Sequence, residues 1–224
     1  MCGRFTLTTP AEALAEAFGL DELPEVAPRF NIAPTQPVAA VRRIPAGAPR
    51  SLSWLRWGLV PGWSREPRGR TQLINARAES LSEKPAFRDA FERRRCLIPA
   101  DGFYEWRHVN GTKEAFLVRR TDGSPFALAG LWEPPAERDP GVEGIFTIVT
   151  TDPNELLRDI HDRMPVILEP EEWNRWLDPE LRKVSVLRPL LRPCRPEPFN
   201  LTRVGPAVNN AANETADCAQ PLPN

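Results

Sequence analysis

Six residues constrain the fold of this chain more than any others: Ile145-Phe146-Thr147-Ile148-Val149-Thr150, all β-branched or aromatic. Such a short run reads as a strand covered on both faces, so it must lie inside a sheet with neighbours on either side. The neighbours are legible. Apolar or alternating runs at 38–44, 52–57, 96–99, 103–106, 116–118 and 126–132 read as strands, with turns at Gly111 and Asp122-Gly123. Helices are fewer. Thr9-Pro10-Ala11-Glu12 has the form of a capping box, followed by Leu14 and Phe18 at helical spacing and closed by Gly19. Phe87 and Phe91 predict a helix over 84–95, with Arg93, Arg94 and Arg95 as its solvated end. Thr151-Asp152-Pro153-Asn154-Glu155 predicts a short helix to near Asp159, and 170–177 a last one. The expected fold is α+β: a single domain on a curved, barrel-like, mostly antiparallel or mixed β-sheet with peripheral helices.

At 224 residues and 41% hydrophobic the chain is long enough for one well-buried core. That domain is expected over 1–212, with 213–224 a polar tail that packs poorly. Lys+Arg 29 against Asp+Glu 30 leaves a net charge of −1, so a polyanion would have to meet a local basic face. Cys2, Cys96, Cys194 and Cys218 show no CxxC spacing and the histidines are His108 and His161, so no metal and no cofactor is expected. No apolar run approaches a membrane span and the start lacks a signal-peptide pattern. A cytoplasmic monomer with reduced thiols is the expectation.

The chemistry concentrates at the start, Met1-Cys2-Gly3-Arg4-Phe5. Removal of Met1 leaves Cys2 as a 1,2-aminothiol, with amine and thiol pKa values of about 8 and 8.5 before perturbation. That group condenses with aldehydes: the amine forms an imine and the thiol closes on the same carbon to give a thiazolidine. Three further stretches carry polar residues among apolar ones. In Ile74-Asn75-Ala76-Arg77-Ala78-Glu79, an extended chain puts Asn75, Arg77 and Glu79 on one face. In Phe103-Tyr104-Glu105-Trp106, Glu105 sits among aromatics, where desolvation would keep it partly protonated as a general acid requires. His161 lies between Asp159, Asp162 and Arg163, where its pKa is tunable either way. Trp57 reads as core, and Trp63, after Pro61-Gly62, as an exposed stacking surface. Taken singly, each has an ordinary alternative: a frayed terminus, a solvated edge, an ion-paired carboxylate, a packed histidine.

Taken in order, these motifs resemble the SOS-response-associated peptidase (SRAP) family. The resemblance rests on Met-Cys-Gly-Arg-Phe, Phe30-Asn31-Ile32-Ala33-Pro34, Trp57-Gly58-Leu59-Val60-Pro61-Gly62-Trp63, Asn75-Ala76-Arg77-Ala78-Glu79, Gly102-Phe103-Tyr104-Glu105-Trp106 and Ile160-His161-Asp162-Arg163-Met164-Pro165. It implies processing of abasic sites in single-stranded DNA through a covalent thiazolidine link at Cys2. Asn75 and His161 would hold the opened sugar and the amine, and Glu105 would move protons. Arg4, Arg77 and Arg163 would meet phosphates, with Pro34, Trp63 and Trp106 also on the DNA. Some relatives carry a second Trp after the position of Trp63; here it is Ser64. Two rival readings remain, a Cys2/His161 peptidase and a non-covalent binder of single-stranded or modified DNA.

Overall fold

The structure, a computed structural model, describes residues 2–61, 72–109, 111–135 and 141–222. Its strands are β1 (Phe5–Leu7), β2 (Arg29–Ile32), β3 (Pro37–Arg42), β4 (Ser51–Trp57), β5 (Asn75–Arg77), β6 (Arg95–Ala100), β7 (Gly102–Val109), β8 (Thr112–Arg120), β9 (Phe126–Glu133), β10 (Gly144–Thr151), β11 (Met164–Pro165), β12 (Ile167–Leu168) and β13 (Phe199–Val204). Its α-helices are α1 (Ala11–Phe18), α2 (Arg88–Arg93), α3 (Pro170–Leu177) and α4 (Val184–Leu187).

The 145–150 run becomes β10, which pairs with β4, β5, β9 and β11. Following the pairs β10–β4, β4–β3, β3–β6, β6–β9 and β9–β10 returns to the start, so five strands close into a barrel. The barrel is mixed: β10 runs parallel to β4 and β5 and antiparallel to β9. Closure removes sheet edges. All six residues of β6 are buried, whereas β4 alternates, with Ser53, Leu55 and Trp57 inward. An alternating strand keeps one face near solvent, and a continuously buried one is covered twice.

A second, antiparallel sheet runs β13-β8-β7-β1-β2 and shares the main core through Phe5, Phe103 and Phe199. This brings β1, carrying the chain's start, against β7, with Phe5 opposite Phe103 and Thr6 opposite Gly102. The chain directly after Cys2 is therefore fixed by a sheet rather than left to fray.

Several expectations change. α1 begins one residue later than the capping box predicts: Thr9 donates its hydroxyl and amide to Asp101 instead. The 84–95 helix shrinks to α2, because Arg95 is 4% exposed and opens β6, its guanidinium donating to the carbonyls of Phe91, Trp176 and Leu181. No helix forms over 154–159; overlapping turns bond Leu157 and Arg158 to Asn154 and His161 to Leu157. Glu79 leaves the strand on a 3₁₀ turn, Ala78–Ser80. Residues 213–222 of the tail pack: Cys218 is fully buried and the Leu222 amide donates to the Arg203 carbonyl at 2.9 Å.

Candidate active site

Cys2 is fully buried beside β7, and the Tyr104 amide donates to the Arg4 carbonyl at 2.9 Å. β5 approaches from the barrel: Asn75 Nδ2 donates to the Cys2 carbonyl at 2.8 Å. That bond uses one end of the Asn75 amide. Its other end, Oδ1, is buried with no hydrogen-bond partner among the described residues. A buried acceptor without a donor is costly, and such atoms await a ligand or water. Asn75 thus holds the Cys2 backbone and offers an acceptor beside it.

Glu105, on the same face of β7 as Phe103, is 1% exposed. Burial pushes its carboxyl up to about 7, and the charge of Asp162 adds to the shift. Near neutrality it is therefore shared between acid and base forms, as a proton shuttle must be. The Cys2 thiol is also raised, first by burial and then by the Glu105 charge. The thiol stays protonated unless a neighbour takes its proton, and Glu105 is near enough for its charge to act on the thiol.

His161 closes the site from the turn after β10. Its Nδ1 lies 3.0 Å from the Arg163 amide and 2.8 Å from Asp162 Oδ1, and one nitrogen cannot satisfy both a donor and a carboxylate without changing protonation. The main-chain amide is fixed in place while Asp162 is 86% exposed, so Nδ1 accepts from Arg163. Burial also lowers the pKa of His161. A neutral ring with Nδ1 accepting carries its proton on Nε2, which makes that nitrogen a donor.

The arginines separate. Arg77 is exposed on β5, at the mouth of an open pocket of about 620 Å³ that Glu79, Ser80, Lys84, Asp152, Asp162 and Arg163 also line. Arg163 is 8% exposed and bonds both oxygens of Glu79, Asp152 Oδ1 and the Thr150 carbonyl at 2.7–3.0 Å. Sequence reasoning placed Glu79 beside Asn75 and Arg77 but did not find this pair, which depends on the 3₁₀ turn after β5. Arg4 donates to Asn31 Oδ1 at 2.8 Å and to the Val208 carbonyl at 2.9 Å, so it braces the fold. Trp106 lies on the opposite face of β7 from Glu105. Its indole donates to Asn209 Oδ1 at 2.7 Å between Arg4 and Lys113. Pro34 is half-buried beside Thr35, whose φ of 75° is strained for a β-branched residue. Trp63 and Ser64 fall outside the described residues. Among those residues no group of His, Cys, Asp or Glu could hold a metal ion, and no helix is long and apolar enough to cross a membrane.

The closed barrel, through β5, and the second sheet, through β1 and β7, thus bring a fully buried Cys2 together with Asn75 and with a carboxyl held near neutrality at Glu105. The chain belongs to the SOS response associated peptidase (SRAP) family, whose model matches residues 1–211. It is 40% identical over 221 residues to the abasic site processing protein YoqW of Bacillus subtilis (strain 168), spanning 97% of this chain and 98% of that one. It is 33% identical to the abasic site processing protein YedK of Escherichia coli (strain K12), spanning 99% of this chain and 100% of that one. The fold matches a solved protein from Bacteroides thetaiotaomicron with a TM-score of 0.85 at 25% identity, over 99% of this chain and 100% of that one.

Proposed function

We propose that this protein processes abasic sites in single-stranded DNA by linking its own Cys2 to the lesion as a thiazolidine. The observation that carries the reading is the burial of Cys2 and Glu105 together, with Asn75 clamping the Cys2 carbonyl.

The chemistry follows from the positions. His161 Nε2–H donates to the ring oxygen of the deoxyribose as it opens to the aldehyde. The Cys2 amine, free once Met1 is removed, adds to C1′ while Asn75 Oδ1 accepts one of its hydrogens. Neutral Glu105 protonates the hydroxyl of the carbinolamine, which leaves as water, and an iminium ion that keeps its N–H and a Glu105 carboxylate remain. The carboxylate takes the thiol proton, and the sulfur bonds to C1′ as the C=N electron pair returns to nitrogen, which becomes a neutral amine. Glu105 ends protonated and uncharged, ready for a reverse cycle. Closing the ring removes the imine that would otherwise promote β-elimination and strand cleavage. The same geometry disfavours a cysteine peptidase: with Nδ1 accepting from Arg163, His161 Nε2 carries the proton and is a donor, not a base for the thiol.

The test is a denaturing gel of protein, its loss of Met1 verified by intact mass, with a strand carrying one abasic site. A denaturation-resistant adduct from wild type and none from Cys2→Ala is the expected result. No adduct from wild type, or an equal adduct from Cys2→Ala, overturns the reading.

A further inference from the structure

Beyond β13 the chain doubles back over the outer face of the second sheet. Two 3₁₀ turns, Pro206–Asn209 and Ala216–Ala219, press the fully buried Val208 and Cys218 onto Tyr104, Ala115 and Leu117. This is the face of β7 opposite Glu105. The proposed chemistry touches none of it.

The segment nevertheless reaches the nucleophile through polar contacts. Asn31, on β2, is fully buried, and its Nδ2 lies 2.8 Å from the Asn213 carbonyl and 3.0 Å from that of Asn210. Its Oδ1 accepts from Arg4 Nη1, which also donates to the Val208 carbonyl. Glu214 fixes the same strand by its backbone: Oε1 accepts from the amides of Phe30 and Asn31 at 2.6 and 2.8 Å, and Oε2 from Arg29 Nε at 2.9 Å. A buried amide is tolerated when its hydrogen bonds are made, and such a network fixes one geometry. Arg4 passes that geometry on. Its side chain is held by Asn31 and the C-terminal segment and its carbonyl by Tyr104, and it stands two residues along the backbone from Cys2.

We propose that segment 206–222 is a clamp on the active site, in which Asn31 and Glu214 are positioning residues that fix Arg4 and, through it, Cys2. The proposal rests on the crosslinking reading above and adds residues that reading does not need. Neither residue touches DNA in it. Their loss should therefore slow chemistry without weakening binding.

The experiment is single-turnover crosslinking over a range of DNA concentrations, with affinity measured separately on a strand carrying a tetrahydrofuran lesion, which has no aldehyde. Asn31→Ala and Glu214→Ala should lower the maximal rate about 10-fold or more, with the half-saturating concentration and the tetrahydrofuran affinity unchanged. Glu214→Gln keeps an acceptor for the Phe30 and Asn31 amides and should recover most of the rate. Wild-type rates in all three variants overturn the clamp while leaving crosslinking intact. So does a rate loss that follows the fraction unfolded in a melt and is not recovered by Gln. No adduct from wild type removes the crosslinking reading, and the clamp with it.

Discussion

Glu105 is the residue whose environment most determines what the site can do. Its carboxyl rises from 4.5 to about 7 because burial disfavours the charge. Two consequences of opposite kind follow. In crosslinking, the acid form is required at loss of water, so the rate should fall as pH rises through about 7, and Glu105→Gln should lower it by about 10²-fold and flatten the profile. In stability, the folded state binds the proton more tightly than the unfolded one. The contribution is therefore present at low pH and lost between 4.5 and about 7, by up to about 1.4 kcal/mol per pH unit. Urea unfolding at pH 5 and pH 8 checks this: Glu105→Gln should gain relative to wild type at the higher pH. An identical pH slope in the two proteins would show that Glu105 is solvated.

At the scale of elements, β7 carries Glu105 and is itself positioned by a close approach at its first residue. A Cβ on Gly102 would stand 2.8 Å from the Val118 carbonyl oxygen and 2.8 Å from Arg119 Cγ, and the backbone atom cannot swing away. Gly102→Ala should cost about 1–3 kcal/mol in a denaturant melt and move β7 against β1. A neutral substitution would mean that the β7–β8 pairing has slack. The strands were legible because their signals are local. The β-branched run of β10 and the alternation in β4 state their own burial, and 170–177 matches α3 to the residue. What sequence missed depends on partners distant in the chain. Arg95 reads as a helix end until carbonyls 81 to 86 residues away accept its donors. β13 escapes because Asn200, Thr202 and Arg203 dilute its apolar residues, and among the described strands it pairs with β8 alone. The tail is polar in composition, yet Glu214 is consumed by the amides of β2. For the site, the order of the motifs singled out Cys2, Asn75, Glu105 and His161, whereas the Glu79–Arg163 pair and the bonds of Asn31 needed the fold.

For the whole molecule the question is how a chain of net charge −1 meets a polyanion. Its arginines are mostly committed internally: Arg163 to Glu79 and Asp152, Arg4 to Asn31 and Val208. Arg77 is exposed, and Lys84 shares its pocket. Glu79, Asp152 and Asp162 line the same pocket and oppose any phosphate there. Affinity for a single strand should therefore depend weakly on salt, since each neutralised phosphate contributes a slope of only about −0.7 in log K against log[salt]. Arg77→Ala should reduce the magnitude of that slope by about 0.7 and leave the melt unchanged. Arg163→Ala should do the reverse. It removes the brace behind the amide that bonds His161, so it should lower stability by about 1–3 kcal/mol and slow crosslinking with little change in slope. Equal losses of salt dependence in the two variants would mean that Arg163 abandons Glu79 when DNA arrives, and that the phosphate displaces the carboxylate rather than meeting a preset cation.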